Sequence, residues 1–517
     1  MPKPARASAG ATAFGGGDRR RPNTPVHITG LSLLAVAGGI LISAAVEAGY
    51  GDPGTLELLV SAGIVAVAGF TMWRATTVPT RISRGAAFVS ATSVWFGISL
   101  AGTVPFLLTG LLPNAELAFF ESVSGFTATG ATVLSPIEGN GHGVLFFRQF
   151  TQWFGSMGMV VLAVAVLRTL GVGGMQLISA EAPGPTADRL APRVAETAKH
   201  LWTLYVALTA LGTVALLAVG VGPYDAITHA MTGIATGGFS PHDASINYFD
   251  SVTVEAVIMT IMFVGAVNFA LMFRSARTRT LRPILANAEF RFYVSIVVLA
   301  IAFITAALVV NDGLGLITAL RGASFSVVSL MSTCGFGTAD FVQWTAAAQL
   351  VLLFLMVTGA MAGSTSGAVK LFRIQVAAKH ALREGRHVRH SKGVFPIKLG
   401  DATVGERVVA GILGFVLLYF VLAVAGILAL ASFGADLPTA AGSIATAMGG
   451  VGPGLGETGP ASNFLTLNAA QRLVMDLYMV LGRLELIPVL ITAVLAVRPL
   501  TTRRRTLLPS RTSSDRR

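Results

Sequence analysis

The chain has 517 residues, of which 53% are hydrophobic and only 12% charged, with a mean hydropathy of +0.71 and a net charge of +12. Soluble domains carry about 25% charged residues, so this composition excludes an ordinary soluble globular protein and points to a lipid bilayer. The single cysteine, Cys334, excludes an internal disulfide, and 58 glycines exceed what close helix packing alone asks for.

Residues 1–26 are basic and rich in Gly, Ala and Arg, which predicts a disordered cytoplasmic tail. The apolar run after it lacks a cleavage site and is taken as a first spanning helix. Residues 27–84 then hold two such helices, near 28–47 and 56–73. From there a pattern repeats: long helix, short apolar segment, Gly-rich turn, long helix, basic loop. The predicted units are 85–190, 191–285, 286–400 and 401–500, followed by a basic cytoplasmic tail at 501–517. Their long helices are expected near 86–109 and 144–170, 197–219 and 252–273, 290–310 and 346–376, and 406–433 and 469–497. The short segments fall at 115–126, 224–234, 317–332 and 438–448. About 20 apolar residues are needed to cross a bilayer, so these segments are too short and are predicted to be re-entrant half-helices. Irregular backbone at membrane depth is tolerated only where it is buried or lines a watery cavity, so the four belong together at one centre.

The basic residues fit this topology. Arg19 to Arg21, Arg74, Arg81, Arg84, Arg189, Arg193, Lys199, Arg274, Arg277, Arg279, Arg282, the stretch from Lys370 to Lys398, Arg498 and Arg503 to Arg505 all fall on one side if every unit goes out and back. The positive-inside rule makes that side, and both termini, cytoplasmic.

Each short segment leads into a turn of one theme: Thr127-Ala128-Thr129-Gly130-Ala131, Ala235-Thr236-Gly237-Gly238, Thr333-Cys334-Gly335-Phe336-Gly337 and Gly450-Val451-Gly452-Pro453-Gly454. Aligning Gly130, Gly237, Gly335 and Gly452 gives spacings of 107, 98 and 117 residues, an internal repeat. Rings of backbone carbonyls can replace the hydration shell of a monovalent cation. A short helix aimed at the centre presents its negative C-terminal end to that ion. Thr127, Thr129, Thr236 and Thr333 are expected to add oxygens or brace the turns, and Asp243, Asp340 and Glu457 to concentrate cations at the outer mouth. A nucleotide loop at 449–456 is set aside, because no strand precedes it and it lacks a Lys-Ser/Thr pair.

These residues carry a resemblance. The stretch from Phe120 to Thr132 resembles the first pore loop of the Trk/Ktr/HKT superfamily of potassium transporters, and 234–240, 332–340 and 451–456 resemble the other three. The two extra N-terminal helices and the Gly-Pro-Gly fourth loop are similar to the TrkH branch. The resemblance implies an all-α membrane protein with four pseudo-symmetric helix–pore loop–helix units around one pore. It further implies residence in the bacterial inner membrane, a homodimer, a cytoplasmic TrkA-like NAD- or ATP-binding regulatory subunit, and no nucleic-acid partner. No bound cofactor is expected, and potassium is the substrate. The implied filter residues are Thr129 and Gly130, Thr236 and Gly237, Cys334 and Gly335, and Val451 and Gly452. Glycine at all four positions goes with potassium preference. Two residues depart from the family pattern: Cys334 stands where threonine is usual, and Gly450 where a polar residue, often asparagine, is usual.

In the second helix of unit three, small and polar residues run from Gly359 through Gly363, Ser364, Thr365, Ser366 and Gly367 to Ala368, followed by Lys370. Broken helices mark transport sites, and the run resembles the family's intramembrane gating loop. The last helix carries Asp476, Arg483 and Glu485. Ionisable groups in a membrane are costly unless paired or facing water. Arg483 sits where the family has an arginine below the filter, so it and the loop form the expected gate; an ion pair with Asp476 or Glu485 is the structural alternative. Asn268 is a weaker pore-lining candidate. The stretch from Lys370 to Lys398 is expected to meet a regulatory subunit, and its histidines, His380, His387 and His390, are assigned no metal. Passive, gated potassium uptake is the leading function, with coupling to protons or sodium as the alternative. A membrane enzyme is excluded by the absence of HExxH, GxSxG or a clustered acid/base set.

Overall fold

The computed structural model describes residues 21–79, 84–170, 190–390, 393–400, 402–486 and 488–495. Most of the two predicted tails, and the basic residues Arg81, Arg189, Arg498 and Arg503 to Arg505, lie outside this set. Two N-terminal helices, α1 (Thr24–Tyr50) and α2 (Thr55–Ala75), form an antiparallel hairpin. Asn23 caps α1 by accepting from the Val26 amide, and Gly51, at φ +77°, ends it. The helix therefore begins inside the stretch assigned to the tail.

Four units follow. The first has α3 (Arg84–Leu108), the short α4 (Ala115–Phe126) and α5 (His142–Leu170). The second has α6 (Leu190–Ala218), the short α7 (Pro223–Ile234), and α8 (Val252–Gly265) followed by α9 (Phe269–Thr278). The third has α10 (Ala288–Asn311), the short α11 (Leu316–Met331), α12 (Ala346–Thr358) and α13 (Leu371–Arg389). The fourth has α14 (Glu406–Ser432), the short α15 (Leu437–Gly449), α16 (Ala469–Arg483) and α17 (Pro488–Leu495). Two pairs of two-residue strands are the only extended pairings among the described residues.

Six described helices are long and apolar enough to cross a membrane, and two bent pairs would add two more spans. The short helices have 12, 12, 16 and 13 residues. At 1.5 Å per residue they reach about 18–24 Å, less than the roughly 30 Å of a hydrocarbon core. Local sequence starts three of them: Asn114 caps α4, Pro223 opens α7, and Asp436 caps α15 ahead of Pro438.

The units close into a ring. Each short helix packs on the long helix before it and on the second helix of its own unit. The second helix of each unit also packs on the short helix of the next: α5 on α7, α8 on α11, α12 on α15, and α16 on α4. That last contact joins the fourth unit to the first. The core lies in this ring, and the outer faces of α2, α6, α10 and α14 expose leucine, valine and phenylalanine.

Two predicted helices are corrected. The second helix of unit two breaks after Gly265 and turns through 100° into α9. The last helix breaks at Arg483, where Glu485 and Leu486 take positive φ. Both stretches keep helical hydrophobicity across the break, so their apolar pattern did not disclose it.

Candidate ion-conducting site

All four turns share one backbone. The residue two after each short helix takes positive φ: Ala128 (+53°), Thr236 (+52°) and Thr333 (+62°), with Gly450 (+64°) as the counterpart after α15. Two residues on, a glycine does so again: Gly130 (+85°), Gly238 (+78°), Gly335 (+85°) and Gly452 (+107°). Between them, the amides of Thr129, Gly237 and Cys334 donate to Ser124, Thr232 and Ser329 of their short helices, each at 2.9 Å. Val451 does the same to Thr446 at 3.2 Å.

This register shifts one sequence assignment. Gly237 is the counterpart of Thr129, Cys334 and Val451, and Gly238 is the counterpart of Gly130. Aligning the pairs Gly238-Phe239 and Gly335-Phe336 would have found it. The backbone also accounts for Gly450: its position demands the left-handed region, which glycine and asparagine enter most readily.

The four glycines close a ring of backbone. A Cβ on Gly130 would lie 2.2 Å from the Gly237 carbonyl oxygen, one on Gly238 2.0 Å from that of Cys334, and one on Gly335 1.8 Å from that of Val451. On Gly452 it would lie 3.3 Å from the Thr129 oxygen. Each turn thus sets its glycine against the carbonyl before the glycine of the next turn, in the order one, two, three, four, one. Real Cβ atoms do not come within 3.0 Å of such an atom, so glycine is sterically required at three of the four.

Side chains brace this ring from behind. Arg148 on α5 and Glu121 on α4 form a fully buried ion pair at 2.7 Å. Glu121 also accepts from Thr132 Oγ1 and the Val133 amide, each at 2.9 Å. Arg148 donates to the Ser240 carbonyl at 2.9 Å and lies 3.6 Å over the Phe239 ring. The pair therefore ties the first turn to the second. Gln152 donates to the Gly237 carbonyl at 2.7 Å and accepts from the Phe239 amide at 3.0 Å. Ser329 donates to the Phe336 carbonyl, and Thr446 bonds both the amide and the carbonyl of Gly452. The Thr127 and Thr129 hydroxyls are 2.8 Å apart. Cys334 is buried, its Sγ 4.0 Å from the Thr232 carbonyl. None of these bracing polar residues outside the turns was picked out in the sequence, because a lone Arg or Gln in an apolar helix does not disclose its partner.

The three carboxylates that follow the turns divide. Asp243 accepts from the Ile137 amide, and Asp340 caps the turn 341–343, so both hold loops. Glu457 is exposed. Glu138, beside Asp243, is pushed up by burial and by the neighbouring carboxylate.

Residues 359–370 form a non-helical loop against the inner side of this ring. Thr365 Oγ1 donates to the carbonyl oxygens of Ile234 and Gly265, and Thr236 Oγ1 lies 3.3 Å from it. The Gly367 amide donates to Thr333 Oγ1 at 2.9 Å. A Cβ on Gly367 would lie 2.0 Å from the Gly449 carbonyl oxygen. Gly359 and Gly363 take positive φ. Ser364 and Ser366 bond each other at 2.8 Å, and Lys370 Nζ bonds the Ser366 carbonyl and hydroxyl. The loop is thereby attached to the second and third turns and packed on the end of the fourth short helix.

Arg483 is buried against this loop, donating to the Thr365 carbonyl at 3.2 Å and to Ser156 Oγ at 3.0 Å. Ser156 in turn donates to the Ala235 carbonyl. The alternative ion pair is not formed. Glu485 pairs with Arg373 at 2.6 Å, and Asp476 Oδ1 is buried without a hydrogen-bond partner among the described residues. Asn268 sits at the break between α8 and α9, capping α9 and donating to the Ala362 carbonyl at 2.6 Å. On α13, Arg383 pairs with Glu406 of α14.

A family model described as "TrkH: Cation transport protein" matches residues 59–498. The chain is 36% identical over 475 residues to the Trk system potassium uptake protein TrkH of Salmonella typhimurium, covering 90% of this chain and 97% of that protein. It is 34% identical to the Trk system potassium uptake protein TrkI of Halomonas elongata, covering 85% and 89%. The crystal structure of the potassium transporter TrkH from Vibrio parahaemolyticus superposes with a TM-score of 0.84 at 34% identity, covering 91% of this chain and 98% of that one.

Proposed function

This chain belongs to the TrkH cation transport family, and from that premise we propose that it takes up potassium through the ring formed by its four turns. The observation that carries this reading is the cyclic contact between each ring glycine and the carbonyl of the next turn. Such a ring presents backbone oxygens at a fixed radius, and they replace the hydration shell of a dehydrated monovalent cation. The filter residues in this reading are Thr129, Gly130, Thr236, Gly237, Cys334, Gly335, Val451 and Gly452, with Gly238 added by the backbone register. The C-terminal ends of the four short helices face the same centre and add negative potential.

The loop from Gly359 to Lys370, with Gly363, Ser364, Thr365, Ser366 and Gly367 at its centre, is the gate of this reading. Arg483 beneath the ring places a fixed positive charge that opposes cation passage, and its bond to Thr365 holds the loop in place. The protein works in the bacterial inner membrane with its basic loops and termini cytoplasmic, as a homodimer, under a cytoplasmic nucleotide-binding subunit. That subunit acts on the face bearing α13. The units 85–190, 191–285, 286–400 and 401–500 are the four quarters of the pore.

The ring is tested by Gly130→Ser. The serine Cβ must displace the Gly237 carbonyl, so potassium-over-sodium selectivity in liposome flux falls. Unchanged selectivity would rule out Gly130 as part of the filter.

A further inference from the structure

The loop below the ring is held at its tip by Thr365, Gly367 and Arg483, but its base is held by something else. Glu289, in the first turn of α10, accepts a hydrogen bond from the Ala362 amide at 2.7 Å. Ala362 lies on the limb entering the loop. The same carboxyl faces the backbone of Phe372, on the limb leaving it, and lies within electrostatic reach of Lys370 and Arg373. One carboxylate on a helix of the unit's other half thus meets both limbs. Asn268 donates to the carbonyl of the same residue, Ala362. The Arg373–Glu485 pair ties the leaving limb to the break after α16.

A carboxylate placed there among lysine and arginine side chains has a physical role. A buried amide left without its acceptor bears the full desolvation of that group, so a single buried partner can decide where its segment lies. The Ala362 amide sits in a non-helical stretch with no i−4 carbonyl to serve it, so its partner decides where the limb lies. Among the described hydrogen bonds, neither Glu289 nor Ala362 bonds a filter turn, so the loss of this pair need not disturb the ring.

We infer that Glu289 is a positioning residue that fastens the base of the 359–370 loop, so that loosening this one carboxyl group frees that base. The inference rests on the gating role given to the loop above. Motion of α13, which starts directly after the loop, bears first on this fastening, because Lys370, Phe372 and Arg373 all lie beside it.

The experiment compares the full chain with Glu289→Ala and Glu289→Gln, reconstituted in liposomes without any partner protein. Hydrogen–deuterium exchange of 359–372 reads the fastening, and potassium flux reads the gate. Glu289→Ala is expected to speed exchange of the loop while α4, α7, α11 and α15 keep their protection. Its flux should rise by roughly ten- to a hundredfold, the cost of leaving one buried amide without its acceptor. Glu289→Gln keeps a carbonyl acceptor for the Ala362 amide and is expected to fall between Ala and wild type in both measurements. Loop exchange unchanged in Glu289→Ala overturns the inference, whatever the flux. Glu289→Gln exchanging as fast as Glu289→Ala also overturns it, because the acceptor would then be irrelevant. Faster loop exchange with unchanged flux supports the fastening and overturns the gating role of the loop instead.

Discussion

The register of the second turn can be decided by comparing Gly238→Ala with Gly237→Ala. Gly238 has φ +78°, and a Cβ there would lie 2.0 Å from the Cys334 carbonyl oxygen and 3.0 Å from its carbon. An alanine held in the left-handed region costs about 1–2 kcal/mol. Forcing a methyl group into an occupied site adds about 1–3 kcal/mol. The carbonyl it meets is backbone of the neighbouring turn, fixed by the Cys334 amide bond to Ser329, so it cannot swing away as a side chain would. The total of about 2–5 kcal/mol must appear as a displaced third turn, since the ring is closed on all sides. At about 1.4 kcal/mol per tenfold, the expected loss of potassium flux is at least about thirtyfold.

Gly237 differs. Its φ is not positive, and its Cβ would meet the Gln152 side chain, at 2.4 Å from Oε1. That amide can rotate aside at the cost of its own hydrogen bonds, about 1–2 kcal/mol, so Gly237→Ala should lose about five- to thirtyfold, less than Gly238→Ala. The assay is potassium and sodium flux into liposomes at matched protein density, with exchange protection of α7 as the folding control. Gly238→Ala with wild-type flux and selectivity, or Gly237→Ala as the more damaging change, would refute the assigned register.

Two further outcomes are expected. Replacing Arg148 by methionine leaves Glu121 charged, buried and short of its partner. Breaking such a pair costs about 3–5 kcal/mol, so the temperature at which half the detergent-solubilised protein remains monodisperse should fall sharply; no fall would show that Glu121 and Arg148 are not coupled. At the loop between α1 and α2, burial by itself would raise the Asp52 carboxyl, but two hydrogen bonds from His142 and its charge hold it below the ordinary 3.8. A depressed carboxyl contributes stability above its unfolded value and loses it as pH falls through the lower folded value. Asp52→Asn should therefore be less stable than wild type at pH 7, and the gap should narrow as pH falls below about 4 and close only beneath the lower folded value; a gap that does not narrow would assign the effect to packing.

Much of this fold was legible in one dimension. Apolar length marked the six described helices long enough to cross a membrane, and the four short segments stood out because they cannot cross a bilayer. Caps and breakers placed their ends within a residue or two: α4 occupies 115–126 as expected, and α15 starts at Leu437, one residue before the expected 438. The repeat of small residues after each short helix located all four turns. These are local signals, set by hydrophobicity and by backbone freedom, and they survive without knowledge of any neighbour.

What the tertiary structure alone decided lies between units. Gly238 rather than Gly237 joins the ring because its missing Cβ makes room for the Cys334 carbonyl, and that oxygen comes from 96 residues further along the chain. The break after Gly265 is met by Thr365 and Met361, and the break after Arg483 by Arg373 through Glu485, all from another segment, so the apolar pattern runs through them unmarked. Glu121, Arg148 and Glu289 are ordinary polar residues in sequence and acquire meaning only from the amides, carbonyls and charges they meet. Arg483 was singled out from its place in the last helix, yet the choice of Thr365 and Ser156 over Asp476 and Glu485 depended on where the chain bends. Helices are specified by residues three and four apart, whereas a ring of carbonyls is specified by four turns about a hundred residues apart, and only folding brings those into contact.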